Sequence, residues 1–117
     1  MPHIIMKPES KKFLLICFLA LATLFTPLLF GQNLFLTIAL LTGISLAMLS
    51  VDWSYKNFVF YLAIFITGPV AEMTAIYFGA WIYTDPIFLG IPLWLPFVWG
   101  NAGLYIVRLH KYIFSKS

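Results

Sequence analysis

The chain has very few charged residues. Asp, Glu, Lys and Arg together make up 9% of its 117 residues, whereas a soluble globular domain carries about 25%. Seven basic and four acidic side chains cannot cover the water-exposed surface of a folded domain of this size. The composition therefore excludes a soluble enzyme, an intrinsically disordered chain and a nucleic-acid-binding protein.

Cysteine and histidine are equally scarce. The single cysteine, Cys17, cannot form an intrachain disulfide, and we expect a packed thiol in the first apolar segment. His3 and His110 lie near opposite ends of the chain. The sequence also has no Asp/Glu/His cluster, no phosphate-binding glycine loop and no Ser-His-acid set. We therefore predict no metal site and no cofactor, and no catalytic residue can be assigned.

Apolar residues, by contrast, are abundant at 62% of the chain, and they form four long segments. The segments cover residues 13–30, 34–51, 58–78 and 87–108. A bilayer core about 30 Å thick needs about 20 helical residues to cross it, and backbone groups in lipid must be hydrogen-bonded within their own segment. The sequence therefore predicts an all-α fold: residues 1–117 form a single transmembrane domain, a bundle of four antiparallel transmembrane helices.

The basic residues report the orientation of these helices. With four spans, every Lys and Arg falls on the same side, and the connections 31–33 and 79–86 on the other side contain none. Positive residues concentrate on the cytoplasmic side of membrane proteins. We therefore expect both termini to be cytoplasmic. The basic residues are Lys7, Lys11, Lys12, Lys56, Arg108, Lys111 and Lys116.

The first apolar segment follows a basic leader, which is also typical of a secretory signal peptide. Its 18 residues exceed the apolar core of about 7–15 residues that cleaved signals have, and no A-x-A-like cleavage site follows. Removal of this segment would also break the charge pattern. We expect it to be retained.

Glu72 is the main candidate for a functional residue. It lies well inside the third apolar segment, where an acidic group costs about 2.5–3.5 kcal/mol and should face the interior of the bundle. Gly68 and Pro69 precede it by one turn, and such residues let another helix approach closely. Two interpretations remain open. Glu72 is either a proton-linked or ligand-binding carboxylate, or an interhelical hydrogen bond that only fixes packing.

The fourth segment has two distinct faces. At about 100° per residue, several polar and aromatic residues fall within about 60° of one another around the helix axis and form a stripe. We expect Asn101, near the middle of the membrane, to find a hydrogen-bond partner, and Arg108 to extend towards the interface. The stripe consists of Trp94, Asn101, Tyr105 and Arg108. The opposite face, which is typical of close helix packing, consists of Pro96, Gly100, Gly103 and Val107.

The stretch that leads into this helix is rich in proline and tryptophan. Pro92 and Pro96 cannot both be the first helical residue. Either the helix begins at Pro92 and is deformed at Pro96, or residues 87–95 form a partly irregular segment. Irregular backbone at membrane depth is stable only where protein or a water-filled cavity covers it.

A cavity at this level would therefore be physically reasonable, and we predict a ligand-binding site there. Its predicted lining is Glu72, Trp94, Trp99 and Asn101, with Tyr83 and Asp85 at the mouth. The alternative is an interfacial belt of aromatic residues with loop prolines. In that case Asp85, which precedes Pro86, is a local turn cap.

The order of these residues resembles a known group of proteins. Glu72 is followed by Gly79-Ala-Trp81-Ile-Tyr83, by Pro86, and by Gly90-Ile-Pro92-Leu-Trp94-Leu-Pro96-Phe-Val-Trp99-Gly100. This pattern resembles uncharacterised small multi-pass proteins of bacterial inner membranes, and the resemblance implies that location.

Two other families share single features with the chain. It is faintly similar to membrane proteins of carotenoid metabolism, which place an acid before a G-x-Y-x-Y-like turn and a proline-rich helix. The length and the lone membrane Glu are also similar to those of small multidrug transporters. The acid lies in the first helix of that family but in the third segment here.

Three functions follow as hypotheses. The protein binds or transports a small hydrophobic or cationic ligand in an aromatic pocket, with Glu72 as counter-charge or proton acceptor. Alternatively, it is a membrane-embedded enzyme on an isoprenoid or lipid, in which Glu72 and Asp85 exchange protons. The third hypothesis is that the protein is a structural or accessory membrane subunit. Its expected partners are the lipid bilayer, the small molecule, and a second copy or a partner membrane subunit. Nucleic acid is not expected.

Overall fold

A computed structural model describes residues 8–83, 86 and 89–114. In this part the chain forms four helices and no β-strand, which confirms the predicted all-α class. The helices are α1 (Pro8–Phe30), α2 (Leu34–Val51), α3 (Tyr55–Tyr77) and α4 (Leu95–Phe114). The first three are long and apolar enough to cross a membrane, and α4 is not among them.

Residues at the N-terminal ends of the first three helices explain where each helix begins. α1 begins at Pro8, five residues earlier than predicted, because proline is favoured at the first helical position. α2 begins at residue 34, as predicted, where the Asn33 side chain accepts a 3.1 Å hydrogen bond from the Leu36 amide. α3 begins three residues early because the Ser54 hydroxyl accepts from the Asn57 amide at 3.0 Å.

The fourth helix begins later than predicted, at Leu95 instead of residue 87, and ends at Phe114 instead of residue 108. The described residues from 89 to 94 are not helical, so the prolines form an irregular segment before the helix. Pro96 stands in the first turn, where its missing N–H has no helical partner to lose. At the other end Phe13 stacks on Tyr112 with ring centroids 4.3 Å apart, and this contact supports the extra helical turn.

Side-chain contacts give the directions of the helices. α1 and α4 are antiparallel because Thr23 contacts Asn101 while Phe13 contacts Tyr112. Asn101 and Arg108 contact Ser45 and Asp52 of α2 in the same order along the chain, so α4 is parallel to α2. Trp99 contacts Glu72 of α3 whereas Gly103 lies against Ile64, so α4 is antiparallel to α3. The four helices therefore alternate in direction.

Helix α4 is the centre of the bundle. It packs against all three other helices, and α1 also packs against α2. The consecutive helices α2 and α3 are not among the closely packed pairs. Their short connection does not place their backbones side by side.

The distribution of polarity is the reverse of that in a soluble domain. The outward faces are apolar, as contact with lipid requires. Every buried side-chain nitrogen or oxygen in the described residues has a hydrogen-bond partner. Buried polar residues are Thr23, Thr26, Thr37, Ser45, Asn101 and Arg108. Exposed apolar residues include Phe18, Leu21, Leu28, Leu29, Phe35 and Ile66.

The small-residue face of α4 packs against α3. A Cβ added at Gly100 would lie 2.5 Å from the ring of Tyr61, and one added at Gly103 would lie 3.0 Å from Ile64. The distance at Gly100 is shorter than real Cβ contacts, so this face depends on glycine there, and the distance at Gly103 is tight. The predicted close packing is confirmed here. It leaves Asn101 and Arg108, two polar residues of α4, buried against the other helices.

Candidate functional site

The last turns of α3 carry Glu72 and then reverse the chain over it. The helix ends in a motif that requires a left-handed residue, and Gly79 provides it with φ +85°. The Ala80 amide donates to the Ala75 carbonyl, and the Gly79 amide donates to the Ile76 carbonyl, both at 2.9 Å. This turn starts the segment that brings Tyr83 back towards Glu72.

A second turn directs the chain into α4. Leu89 and Gly90 both have positive φ, 49° and 91°. Gly90 lies against α3, where an added Cβ would be 2.9 Å from the side chain of Ile76. The close approach of Gly90 to α3 therefore fixes the segment that carries Trp94 into the site.

Glu72 accepts one hydrogen bond on each carboxylate oxygen. The Tyr83 hydroxyl donates to Oε1 and the Trp99 indole N–H donates to Oε2. Gly68, one turn before Glu72, makes the second bond possible, because a Cβ there would overlap the Trp99 ring. The expectation that small residues beside Glu72 admit another helix is confirmed.

Both partners of this carboxylate are neutral. Within residues 8–83, 86 and 89–114, no Lys, Arg or His lies within ion-pair distance of Glu72. An indole N–H can only donate, but a tyrosine hydroxyl can donate or accept. The Tyr83 hydroxyl can therefore reverse its hydrogen bond if Glu72 takes up a proton, and this cluster accommodates the carboxyl group in either charge state.

A groove of about 420 Å³ lies beside Glu72, between α1 and α4, and we call it the Glu72 groove. The ring of Trp94 stands edge-on to that of Tyr83, with centroids 6.2 Å apart. Four of the six predicted ligand-binding residues therefore come together here. The groove is lined by Thr23, Leu24, Pro27, Leu28, Glu72, Tyr83, Trp94, Leu95, Val98, Trp99 and Ala102.

The groove continues into a wider cavity near the α1–α2 turn. This cavity has a volume of about 830 Å³ and shares Pro27, Leu28, Tyr83 and Trp94 with the Glu72 groove. Its remaining walls include the polar turn residues at positions 31–33. The Glu72 groove therefore has a polar mouth at the end of the bundle where the α1–α2 turn lies.

The other two predicted site residues are Asp85 and Asn101. Asp85 lies outside the described residues. Asn101 is fully buried at 0% exposure and is not among the residues that line the groove.

Asn101 instead joins a hydrogen-bonded network with one side chain from each helix. The Tyr61 hydroxyl donates to Ser45 Oγ at 2.8 Å, and the Ser45 hydroxyl donates to Asn101 Oδ1 at 2.6 Å. Asn101 Nδ2 donates to Thr23 Oγ1 at 3.0 Å, and Thr23 donates to the Leu19 carbonyl at 3.0 Å. The expected hydrogen-bond partner of Asn101 is therefore present, and the network holds the four helices in register.

A second charged cluster lies at the opposite end of α4. Arg108 is only 4% exposed and donates to Asp52, and Lys111 Nζ donates to the same Asp52 oxygen at 2.9 Å. Arg108 reaches the α2–α3 connection at the end of the bundle, where Asp52 provides its counter-charge, and its expected extension towards the membrane interface stays a prediction. Sequence reasoning missed Asp52, although an acid at the edge of a basic connection is a weak signal of such a pair.

The neighbouring cations change the acidity of Asp52. The hydrogen bond from Lys111 holds the pKa of this carboxyl below its ordinary value, against the opposing effect of burial. The charges of Arg108 and Lys12 act in the same direction as Lys111. Three basic residues thus surround one carboxylate at this end of the bundle.

Comparison with family models, curated proteins and solved structures gives no match. The family resemblances stated from the sequence remain predictions. Among the residues with described positions, no group of three His, Cys, Asp or Glu side chains could hold a metal ion.

Proposed function

We propose that this chain is a multi-pass protein of the bacterial inner membrane that binds a small lipophilic cation in the Glu72 groove. One observation carries the proposal. Glu72, deep in an apolar helix, receives two neutral hydrogen bonds and no ion pair within the described residues, and it borders a cavity. A membrane-embedded carboxylate marks a functional site by default.

A cation suits both the charge and the walls of this groove. At low dielectric, a carboxylate attracts a cation far more strongly than it does in water. Trp94, Trp99 and Tyr83 offer aromatic rings, whose faces attract cations that have lost part of their hydration. The groove volume of about 420 Å³ is within the range of pockets for small ligands. The aliphatic side chains of α1 and α4 suit the apolar part of such a ligand.

The charge distribution supports an orientation with both termini in the cytoplasm. Lys12, Arg108 and Lys111 surround Asp52 at one end of the bundle. The turn 31–33 and the described residues 78–83 at the other end contain no Lys or Arg. The positive-inside rule assigns the basic end to the cytoplasm, so the mouth of the groove faces the opposite side.

Binding of benzyltrimethylammonium tests this function. Titration calorimetry on the protein in lipid nanodiscs should show saturable binding, and Glu72→Gln should weaken it by about tenfold or more, because the counter-charge is lost while the side-chain shape stays. Glu9→Gln is the matched control, since it removes one acidic charge from the start of α1, and we expect unchanged binding. Equal binding by wild type and Glu72→Gln would overturn the proposal.

A structural or accessory membrane subunit is the second candidate, and the four-helix network around Asn101 favours it. In that role Glu72 would only hold Tyr83 and Trp99 in place. The same titration separates the two functions, because the wild-type protein binds no cation if it is a structural subunit. Glu72→Gln then leaves its folding nearly unchanged. The enzyme hypothesis needs Asp85 beside Glu72, and Asp85 lies outside the described residues.

A further inference from the structure

The Glu72 groove extends further along the seam between α1 and α4 than the cation site requires. A further cavity of about 430 Å³, which we call the seam cavity, shares Thr23, Leu24, Val98 and Ala102 with the groove. From these shared walls it reaches Cys17 and Tyr105. The two cavities therefore adjoin along the seam, with Glu72 near one end of the pair, and together we call them the channel.

The seam cavity exists because small side chains line it on both helices. Ala20 of α1 and Ala102 of α4 leave room that larger residues would fill. Its walls carry no carboxylate, guanidinium or ammonium group. The Thr23 hydroxyl is already bonded to Asn101 and to the Leu19 carbonyl. Cys17, predicted to be a packed thiol, is half-buried and adds only a weakly polar sulfur.

This channel is therefore charged at one end and apolar along the rest of its length. Resting on the proposed function, we infer that its ligand is a single-chain amphiphile: the cationic head lies at Glu72 and the hydrocarbon chain follows the seam towards Tyr105. From Trp99 to Tyr105, six residues of helix rise by about 9 Å, roughly the length of an extended chain of seven or eight carbons.

A homologous series of alkyltrimethylammonium ions tests the inference. Affinities are measured in nanodiscs and expressed per mole of lipid, so that partition of longer chains into the bilayer does not count as binding. We expect the affinity to rise from ethyl to about octyl and then to level off. Ala20→Leu, at a position that lines the seam cavity and not the Glu72 groove, should weaken octyltrimethylammonium binding by about fivefold or more by filling the seam, and leave ethyltrimethylammonium within about twofold.

The matched control is Ala63→Leu, the same substitution at an exposed position of α3 that lines none of the three cavities. It should bind every member of the series as wild type does. Ala102→Leu fills the seam from the opposite wall and should weaken octyltrimethylammonium binding as Ala20→Leu does. This second variant keeps the test decisive if the first one fails to fold.

The outcomes separate the inference from the proposed function. If affinity depends on Glu72 but not on chain length, or if both seam variants bind octyltrimethylammonium normally, the amphiphile inference is wrong and the cation site remains. If no member of the series shows binding that Glu72→Gln weakens, the proposed function is wrong as well.

Discussion

The two acidic residues whose side-chain contacts are described, Glu72 and Asp52, face opposite electrostatic surroundings. Asp52 pairs with Arg108 and Lys111 at one end of α4. Glu72 meets the other end of the same helix, where Trp99 and the loop residue Tyr83 give it neutral hydrogen bonds. The charge of Asp52 is neutralised within the chain, so Asp52 does not need a ligand as its counter-charge. Glu72 has no counter-charge among the described residues, as the proposed binding site for a cation requires.

Removal of the Asp52 charge should have the largest effect on stability. Asp52→Asn takes away the carboxylate that neutralises the buried guanidinium of Arg108. We expect a loss of about 2–3 kcal/mol, at or below the low end of the ~3–5 kcal/mol for a fully buried pair, because Asp52 is about one third exposed. Equilibrium unfolding in mixed detergent micelles measures this loss. Glu72→Gln should change the free energy of unfolding by less than about 1 kcal/mol, because its partners are neutral. Equal losses in the two variants would contradict the comparison.

The Asn101 network should come next. Asn101→Leu leaves the buried Ser45 hydroxyl without its acceptor, and we expect a loss of about 2 kcal/mol in the free energy of unfolding. Thr67→Val is the control, because the exposed Thr67 hydroxyl bonds only to the Ala63 carbonyl of its own helix. We expect that variant to unfold as the wild type does. If the two variants were equally stable, the network would not hold the bundle together.

The contact between Gly68 and Trp99 should link stability to the site. Gly68→Ala forces the indole away from α3, with a loss of about 1–2 kcal/mol and weaker binding of benzyltrimethylammonium. Gly43→Ala is the matched control, because an added Cβ at Gly43 meets nothing within 4 Å. It should stabilise α2 by up to about 1 kcal/mol, since alanine is the better helix former. Thermal unfolding and titration of both variants measure the two effects. The same sign in both variants would mean that the packing at Gly68 is unimportant.

The smallest expected effect is the dependence of stability on pH. The pKa of Asp52 is lowered in the folded state from an ordinary value of 3.8, so its contribution is present above that pH and is lost as the pH falls through the folded value. The melting temperature of the wild type should therefore fall more steeply below about pH 4 than that of Asp52→Asn. The difference should be modest, because Asp52 is about one third exposed. Parallel curves would exclude Asp52 as the titrating group.

The features that could be predicted from the sequence depend on residues that lie close together in the chain. The apolar segments predicted α1 to α3 within a few residues, because the thickness of the bilayer sets the length of a spanning helix. The grouping of Glu72 with Tyr83, Trp94 and Trp99 also followed from local clues, a buried acid and a stretch too rich in proline to be helical. The same prolines left the start of α4 ambiguous.

Long-range pairings could not be predicted in this way. Asp52 and Arg108 are 56 residues apart, as are Ser45 and Asn101, and no periodicity in the chain relates them. Asn101 was placed in the cavity because a polar residue at membrane depth needs a partner. That reasoning predicts a partner but not which one, and the folded bundle supplies Ser45 and Thr23 instead of a ligand.

By itself, the sequence determined that this chain forms apolar helices, where three of them lie, and that one acid, Glu72, lies inside the apolar segments. These properties follow from composition and segment length alone. Tertiary structure decided that α4 is the central helix, that Arg108 is buried on Asp52, and that Asn101 joins the four helices. It also decided that Glu72 lies beside a channel. The reason is physical, because each of these features is set by the distance between side chains on different helices, and only packing determines that distance.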